Sequence, residues 1–225
     1  MTRKLKALSL AFVAVFAVNA MVASGASAED LFTSDSVNGK TLITGEQEPG
    51  SKHKFTVIGQ PIECEKAVFH GTTAANSVNE ITITPTYENC TYNGSAAQIT
   101  LNSCKYTITA ETNATKHNVI HLVECPTAAP ILIHIIVGGA TCTLTIIEQT
   151  VGEGVKITNE TTGPKKAITV LATAKVKIHA AAGVLACKAL AGTSPVYTGA
   201  TTLTGTEEDT GNAVNITFDT GADSV

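Results

Sequence analysis

Apolar residues recur at every second position, or in short β-branched runs, along most of this chain. A period of two is the mark of a half-buried strand. The pattern predicts strands at His53–Ile58, Ala67–His70, Glu80–Thr86, Ala97–Asn102, Lys105–Ala110 and Val119–Glu124. It predicts more at Ile131–Val137, Thr141–Thr150, Val155–Thr158, Ala167–Thr173, Lys175–His179, Val196–Thr204 and Ala213–Phe218. Turn formers separate them: Glu48-Pro49-Gly50, Asn93-Gly94, Gly152-Glu153-Gly154, Thr162-Gly163-Pro164 and Thr210-Gly211-Asn212. Only Ala180–Leu190, rich in alanine, predicts a short helix. The segment Ala128–Ile147 is long, apolar and uncharged, as a membrane span would be. Its centre, however, is Gly138-Gly139 between β-branched flanks, which predicts a buried hairpin with a short turn. Many short strands with frequent breaks define an all-β chain: a multi-stranded antiparallel sandwich or barrel-like fold.

One stretch does not follow this pattern. Arg3, Lys4 and Lys6 precede an apolar run from Ala7 to Val22, and Ala26-Ser27-Ala28 supplies small side chains at a cleavage site. This is the organisation of a secretory signal peptide over residues 1–28, cut before Glu29. The expected mature chain, 29–225, is 197 residues long. That suffices for a single all-β domain, or for two packed lobes meeting near 126–130. No lipid-anchoring cysteine follows the cleavage site and no apolar tail closes the chain, so the expectation is a secreted, extracellular product without stable membrane insertion.

Composition narrows the range of partners. Cleavage removes the only arginine and both methionines, leaving 12 basic against 19 acidic residues, a formal charge of about −7, in a chain with no tryptophan. Arginine is the side chain best shaped to grip phosphate, and phosphate neutralisation dominates nucleic-acid affinity. Nucleic acid is therefore excluded as an expected partner. The one basic cluster, Lys165-Lys166 with Lys175 and Lys177, reads as a solvated strand face. Threonine, at 35 residues, reinforces the β assignment.

Six cysteines, Cys64, Cys90, Cys104, Cys125, Cys142 and Cys187, form no Cys-x-x-Cys pair. In an exported chain an even count without such pairs predicts three disulfides. Cys104-Lys105-Tyr106-Thr107-Ile108 echoes Cys142-Thr143-Leu144-Thr145-Ile146, and Cys64 opens a similar segment. The echo suggests joining each strand-opening cysteine to the next one: Cys64–Cys90, Cys104–Cys125 and Cys142–Cys187. Each bridge would contribute about 2–4 kcal/mol. The segments from Phe55-Thr56-Val57-Ile58-Gly59-Gln60 to Cys64, from Pro85-Thr86-Tyr87 to Cys90, and Cys104-Lys105-Tyr106-Thr107, with Tyr197-Thr198-Gly199, resemble a family of secreted, cysteine-containing β-rich proteins of soil actinobacteria. The resemblance implies a bacterial exported β protein and carries no established activity.

Candidate chemistry is sparse. His117 and His121 fall in a predicted strand, where four residues place them about 13 Å apart, too far to share one ion. Glu63 with Glu65, and Glu207 with Glu208, are acidic pairs in turn-like sequence and read as solvated charge. The chain has no Gly-x-Ser-x-Gly, no His-Glu-x-x-His and no phosphate or calcium loop. Three arrays put three hydroxyls on one strand face each: Thr82-Thr84-Thr86, Thr141-Thr143-Thr145 and Thr202-Thr204-Thr206. Five sequons begin at Asn89, Asn93, Asn113, Asn159 and Asn215. No catalytic residue, metal ligand or cofactor is assigned. The expected role is a non-catalytic structural or adhesive protein at or beyond the cell surface, with an envelope or protein partner. The alternatives are a binding module for a small molecule or a protein, including an inhibitor, and less favoured, a hydrolase of unrecognised type.

Overall fold

The computed structural model describes residues 30–110, 118–123, 125, 129–151, 154–180, 185–188, 190 and 195–220. The expected leader and His117 lie outside the described residues. The chain forms β1 (Leu31–Ser34), β2 (Thr41–Gln47), β3 (Lys54–Val57), β4 (Gln60–Thr73), β5 (Ser77–Val78), β6 (Glu80–Tyr92), β7 (Ser95–Thr100), β8 (Lys105–Thr109) and β9 (Val119–Val123). It continues as β10 (Ile131–Val137), β11 (Ala140–Ile146), β12 (Gln149–Val151), β13 (Val155–Glu160), β14 (Ala167–Lys175), β15 (His179–Ala180), α1 (Leu185–Lys188), β16 (Val196–Glu207), β17 (Ala213–Val214) and β18 (Ile216–Asp219).

Pairing is antiparallel throughout. Strands β14, β16, β2, β4, β6, β8, β9 and β12 are hydrogen-bonded in that order. β12 pairs with β9 at one end of this row, and β13, next in the chain, pairs with β14 at the other. The two ends of the row are thereby brought close together. A side chain completes the seam: Gln149 donates from Nε2 to the Lys177 carbonyl (3.0 Å) and accepts from the Lys177 N–H (2.7 Å), copying the two bonds of a backbone bridge. β3 prolongs the line of β2, since both lie between β16 and β4. β7 leads off β6 to β10, β11 and β15. The small sheet β18–β1–β5 packs Phe32 and Phe218 together, ring centres 5.5 Å apart.

Local chemistry explains the hairpins. Asn93-Gly94 and Gly138-Gly139 adopt paired positive φ values (49° and 76°; 57° and 83°), the twist that two-residue hairpins require. Ala128–Ile147 accordingly contains the β10–β11 hairpin. A third such turn, Ile58-Gly59, joins β3 to β4 with Ile58 at φ 49°, a left-handed conformation unfavourable for a β-branched residue.

Two apolar cores share the interior. One gathers Phe55, Ile62, Ile131, Ile133, Leu144 and Ile178 with five of the six cysteines buried and Cys125 packed against them. The other gathers Phe32, Ile43, Phe69, Ile83, Ile168, Leu203 and Phe218. They interleave along the chain, so each draws residues from both sides of 126–130. The inward parity changes where they meet. Ile62 and Cys64 point inward on β4, but so do Ala67 and Phe69, with Glu65 and Lys66 both exposed between them. β6 does the same across Glu88 and Asn89. This matched irregularity leaves Cys64 and Cys90 directly opposite each other, Cα atoms 3.9 Å apart, and joined. The remaining bridges are Cys104–Cys125 and Cys142–Cys187. All three therefore staple the first core and none the second.

Several boundaries differ from the sequence pattern. The run 141–150 is two strands, because the chain bends at Ile147–Glu148 and β12 leaves β11 to pair with β9. Lys175 ends β14, and 176–178 are not strand. The helix shortens to one turn among the described residues. β2 carries little hydrophobic signal because two of its inward positions are Thr41 and Gly45.

Candidate functional site

The sequence-derived candidates do not converge on a chemical centre. Glu63 pairs with Lys54 (2.9 Å) and Lys52 (3.4 Å), and its bond to Lys54 above all holds its carboxyl below the ordinary range. Glu65 is exposed and separate. Glu207 turns inward and accepts from Thr210 Oγ1 (2.6 Å) and the Val37 N–H (2.9 Å), and its carboxyl is likewise lowered. Glu208 meets Lys40 at the surface. His121 bonds Thr150 (2.8 Å). Lys165 and Lys166 precede β14 and Lys175 ends it, nine residues of extended strand apart, so the basic cluster is not one patch. Two sequon asparagines brace the structure: Asn159 exchanges both bonds with the Phe218 backbone, and Asn215 joins Asp35 to the Lys166 N–H. Among the described residues no three His, Cys, Asp or Glu side chains are grouped to hold a metal ion.

Two features do assemble. The first lies between the cores. His53 sits in the gap between β2 and β3, on the inward parity of Phe55 and Val57, and is 3% exposed. Its ring packs over Gly199, where an added Cβ would stand 2.3 Å from Nδ1. Nε2 lies 3.3 Å from the Ala200 carbonyl and 3.2 Å from the Thr201 hydroxyl, and the tautomer with the proton on Nε2 satisfies both, since the carbonyl can only accept and the hydroxyl can. Nδ1 then accepts from the Tyr197 hydroxyl (2.5 Å). Tyr197 lies 3.3 Å from the Tyr87 hydroxyl, and Tyr87 lies 3.3 Å from that of Tyr106. The result is a directed relay, Tyr106 to Tyr87 to Tyr197 to His53 to the Ala200 carbonyl, with long links between the phenols. Burial lowers the imidazole from 6.5 to about 4, and the bond to Ala200 only partly opposes this. Burial also raises all three phenols, so they remain donors. The groups are neutral and matched in direction.

Beside this relay is a cavity of about 90 Å³, walled by His53, Tyr106, Tyr197, Thr201 and Gln149 on its polar parts and by apolar side chains of β3, β4, β6, β8–β12, β14 and β16 elsewhere. A second void of about 40 Å³ shares His53, Phe55, Tyr106, Ile131, Ile146 and Tyr197 with it. Small residues leave the space: Ala172 and Ala174 on β14. An unfilled void of 90 Å³ costs about 2 kcal/mol relative to a packed one.

The second feature is outside. Register sets Thr204, Thr44, His70 and Thr84 side by side on β16, β2, β4 and β6. The next row is Thr206, Leu42, Thr72, Thr82, Thr107, His121 and Thr150. Neighbours in a row stand about 4.8 Å apart. Two of the three threonine arrays thus meet on one face, while 141–145 lies on β11 elsewhere. Thr82 bonds Thr107 (2.9 Å), but Thr44, Thr72, Thr84 and Thr206 keep hydroxyls without a side-chain or backbone partner among the described residues. Together with His70 and Lys105 they line a depression of about 490 Å³.

No family model, curated protein or solved structure matches this chain. Function is accordingly read from these two features. Sequence reasoning missed the His53 relay, although the shared parity of His53, Phe55 and Val57 was a usable signal. It found the threonine arrays but could not place two of them on one surface.

Proposed function

We propose that this is a secreted, non-catalytic adhesive protein whose outer sheet face binds a hydroxyl-rich polymer of the cell envelope or its surroundings. The observation that carries the reading is the depression lined by Thr44, Thr72, Thr82, Thr84 and Thr206 with His70 and Lys105. Its hydroxyls both donate and accept, as do those of a polysaccharide, and its rigid ladder fixes their spacing without an ordering cost at binding. A single cation in the lining favours a neutral or weakly acidic polymer over a polyanion. The three disulfides suit an oxidising location.

The test is co-sedimentation of the purified protein with insoluble envelope polysaccharide. Replacing Thr72, Thr82 and Thr84 together by valine keeps shape and removes hydroxyls. Binding weakened tenfold or more, with an unchanged melting temperature, supports the proposal. Equal binding by the two proteins, or none by the unaltered one, refutes it.

A further inference from the structure

We infer that the interior cavity is a second, separate binding site, for a small uncharged molecule that is mainly apolar and carries one hydroxyl or carbonyl. Three observations define the ligand. The first is size. The cavity holds about 90 Å³ and its neighbour about 40 Å³, divided by side chains they share. An apolar cavity of about 150 Å³ accommodates benzene, so a ligand of roughly five or six non-hydrogen atoms fills both voids only when the side chains between them shift. The second is charge. No ionised side chain lines the larger cavity, Lys54 at the smaller one is paired with Glu63, and His53 is neutral above its lowered titration. Bringing a charge into it would carry the full cost of desolvation. The third is direction. The Thr201 hydroxyl, 3.2 Å from His53 Nε2, lines the larger cavity together with the aliphatic side chains of β12 and β14. A ligand hydroxyl or carbonyl would bond there while its apolar body fills the space left by Ala172 and Ala174.

The seam supplies the entrance. β12 is held to the segment after β14 by the Gln149 amide rather than by a ladder, and both bonds are exposed. Releasing this one side chain parts β12 from the segment after β14 without breaking a strand pair. This site is independent of the threonine face, which lies on the other side of the sheet.

Cyclopentanol is the probe, with cyclopentylammonium as its charged counterpart. Three of the four tyrosines, Tyr87, Tyr106 and Tyr197, belong to the relay and there is no tryptophan, so tyrosine emission reports occupancy directly. Cyclopentanol should give a saturable emission change with a Kd of about 1 mM or tighter, and the ammonium at least tenfold weaker binding. Ala172→Leu, which fills the void, should weaken cyclopentanol binding tenfold or more without lowering the melting temperature. Should that variant fail to fold, intermolecular NOEs in the unaltered protein decide the matter: contacts from cyclopentanol to the methyl groups of Ile146 and Val170 support the site. Absence of saturation, absence of those NOEs, or undiminished binding by folded Ala172→Leu overturns it. The Thr72, Thr82 and Thr84 valine variant should bind cyclopentanol as the unaltered protein does.

Discussion

His53 should make the fold sensitive to mild acid in a defined window. Its imidazole is lowered from 6.5 to about 4 by burial. In the unfolded chain the same group takes a proton below its ordinary 6.5. Between those values the unfolded state binds more protons than the folded one, so stability rises with pH across the window. The contribution is complete above pH 6.5 and is lost as pH falls from there towards 4. A difference of 2.5 pH units at 1.36 kcal/mol each amounts to about 3 kcal/mol. The relay gives the physical reason. A protonated imidazole would present a donor to the Tyr197 hydroxyl, which itself donates to Nδ1, and would leave a charge beside an apolar void. Urea unfolding at a series of pH values, followed by tyrosine emission, measures the effect. His53→Gln cannot titrate and should start less stable at pH 7, because it loses the Tyr197 bond. Its stability should then fall less steeply than that of the unaltered protein between pH 6.5 and 4. Asp35, Glu63 and Glu207 are held below their usual range, so their stabilisation is lost at more acidic pH in both proteins and cancels in the comparison. Parallel stability curves through this window, or an NMR titration of folded His53 near 6.5, would refute the reasoning.

Two further outcomes are expected. Ile58→Asn relieves a β-branched residue of its left-handed conformation in an exposed turn and should raise stability by about 1 kcal/mol in thermal or urea unfolding; an unchanged or lowered midpoint contradicts the turn geometry. Removing the Cys64–Cys90 bridge by paired serine substitution should cost about 3.5 kcal/mol for its 26-residue separation. Because every bridge lies in one core, hydrogen exchange after partial reduction should rise first in β7, β10 and β11; earlier loss of protection in β13, β14 and β16 would show that the two cores are not separately stapled.

Sequence alone determined what depends on neighbours along the chain. Alternation found most of the strands, and Asn93-Gly94 and Gly138-Gly139 announced their hairpins because a left-handed pair favours those residues. The even cysteine count announced disulfides, and the order in which cysteines open strands matches the order in which the structure joins them. Ile58-Gly59 stayed hidden because its turn is imposed by the β3–β4 ladder against the preference of isoleucine. β2 stayed hidden because its inward Thr41 and Gly45 are chosen by what lies opposite: an added Cβ at Gly45 would stand 2.6 Å from Leu203, 158 positions further along the chain. The candidate sites belong to the tertiary structure for the same reason. His53 and Tyr197 meet across 144 positions, and Thr204, Thr44, His70 and Thr84 align only when three ladders share a register. Pairing between distant strands is set by the joint fit of both cores and by the contact of Gln149 with Lys177, and no local run of residues encodes that fit.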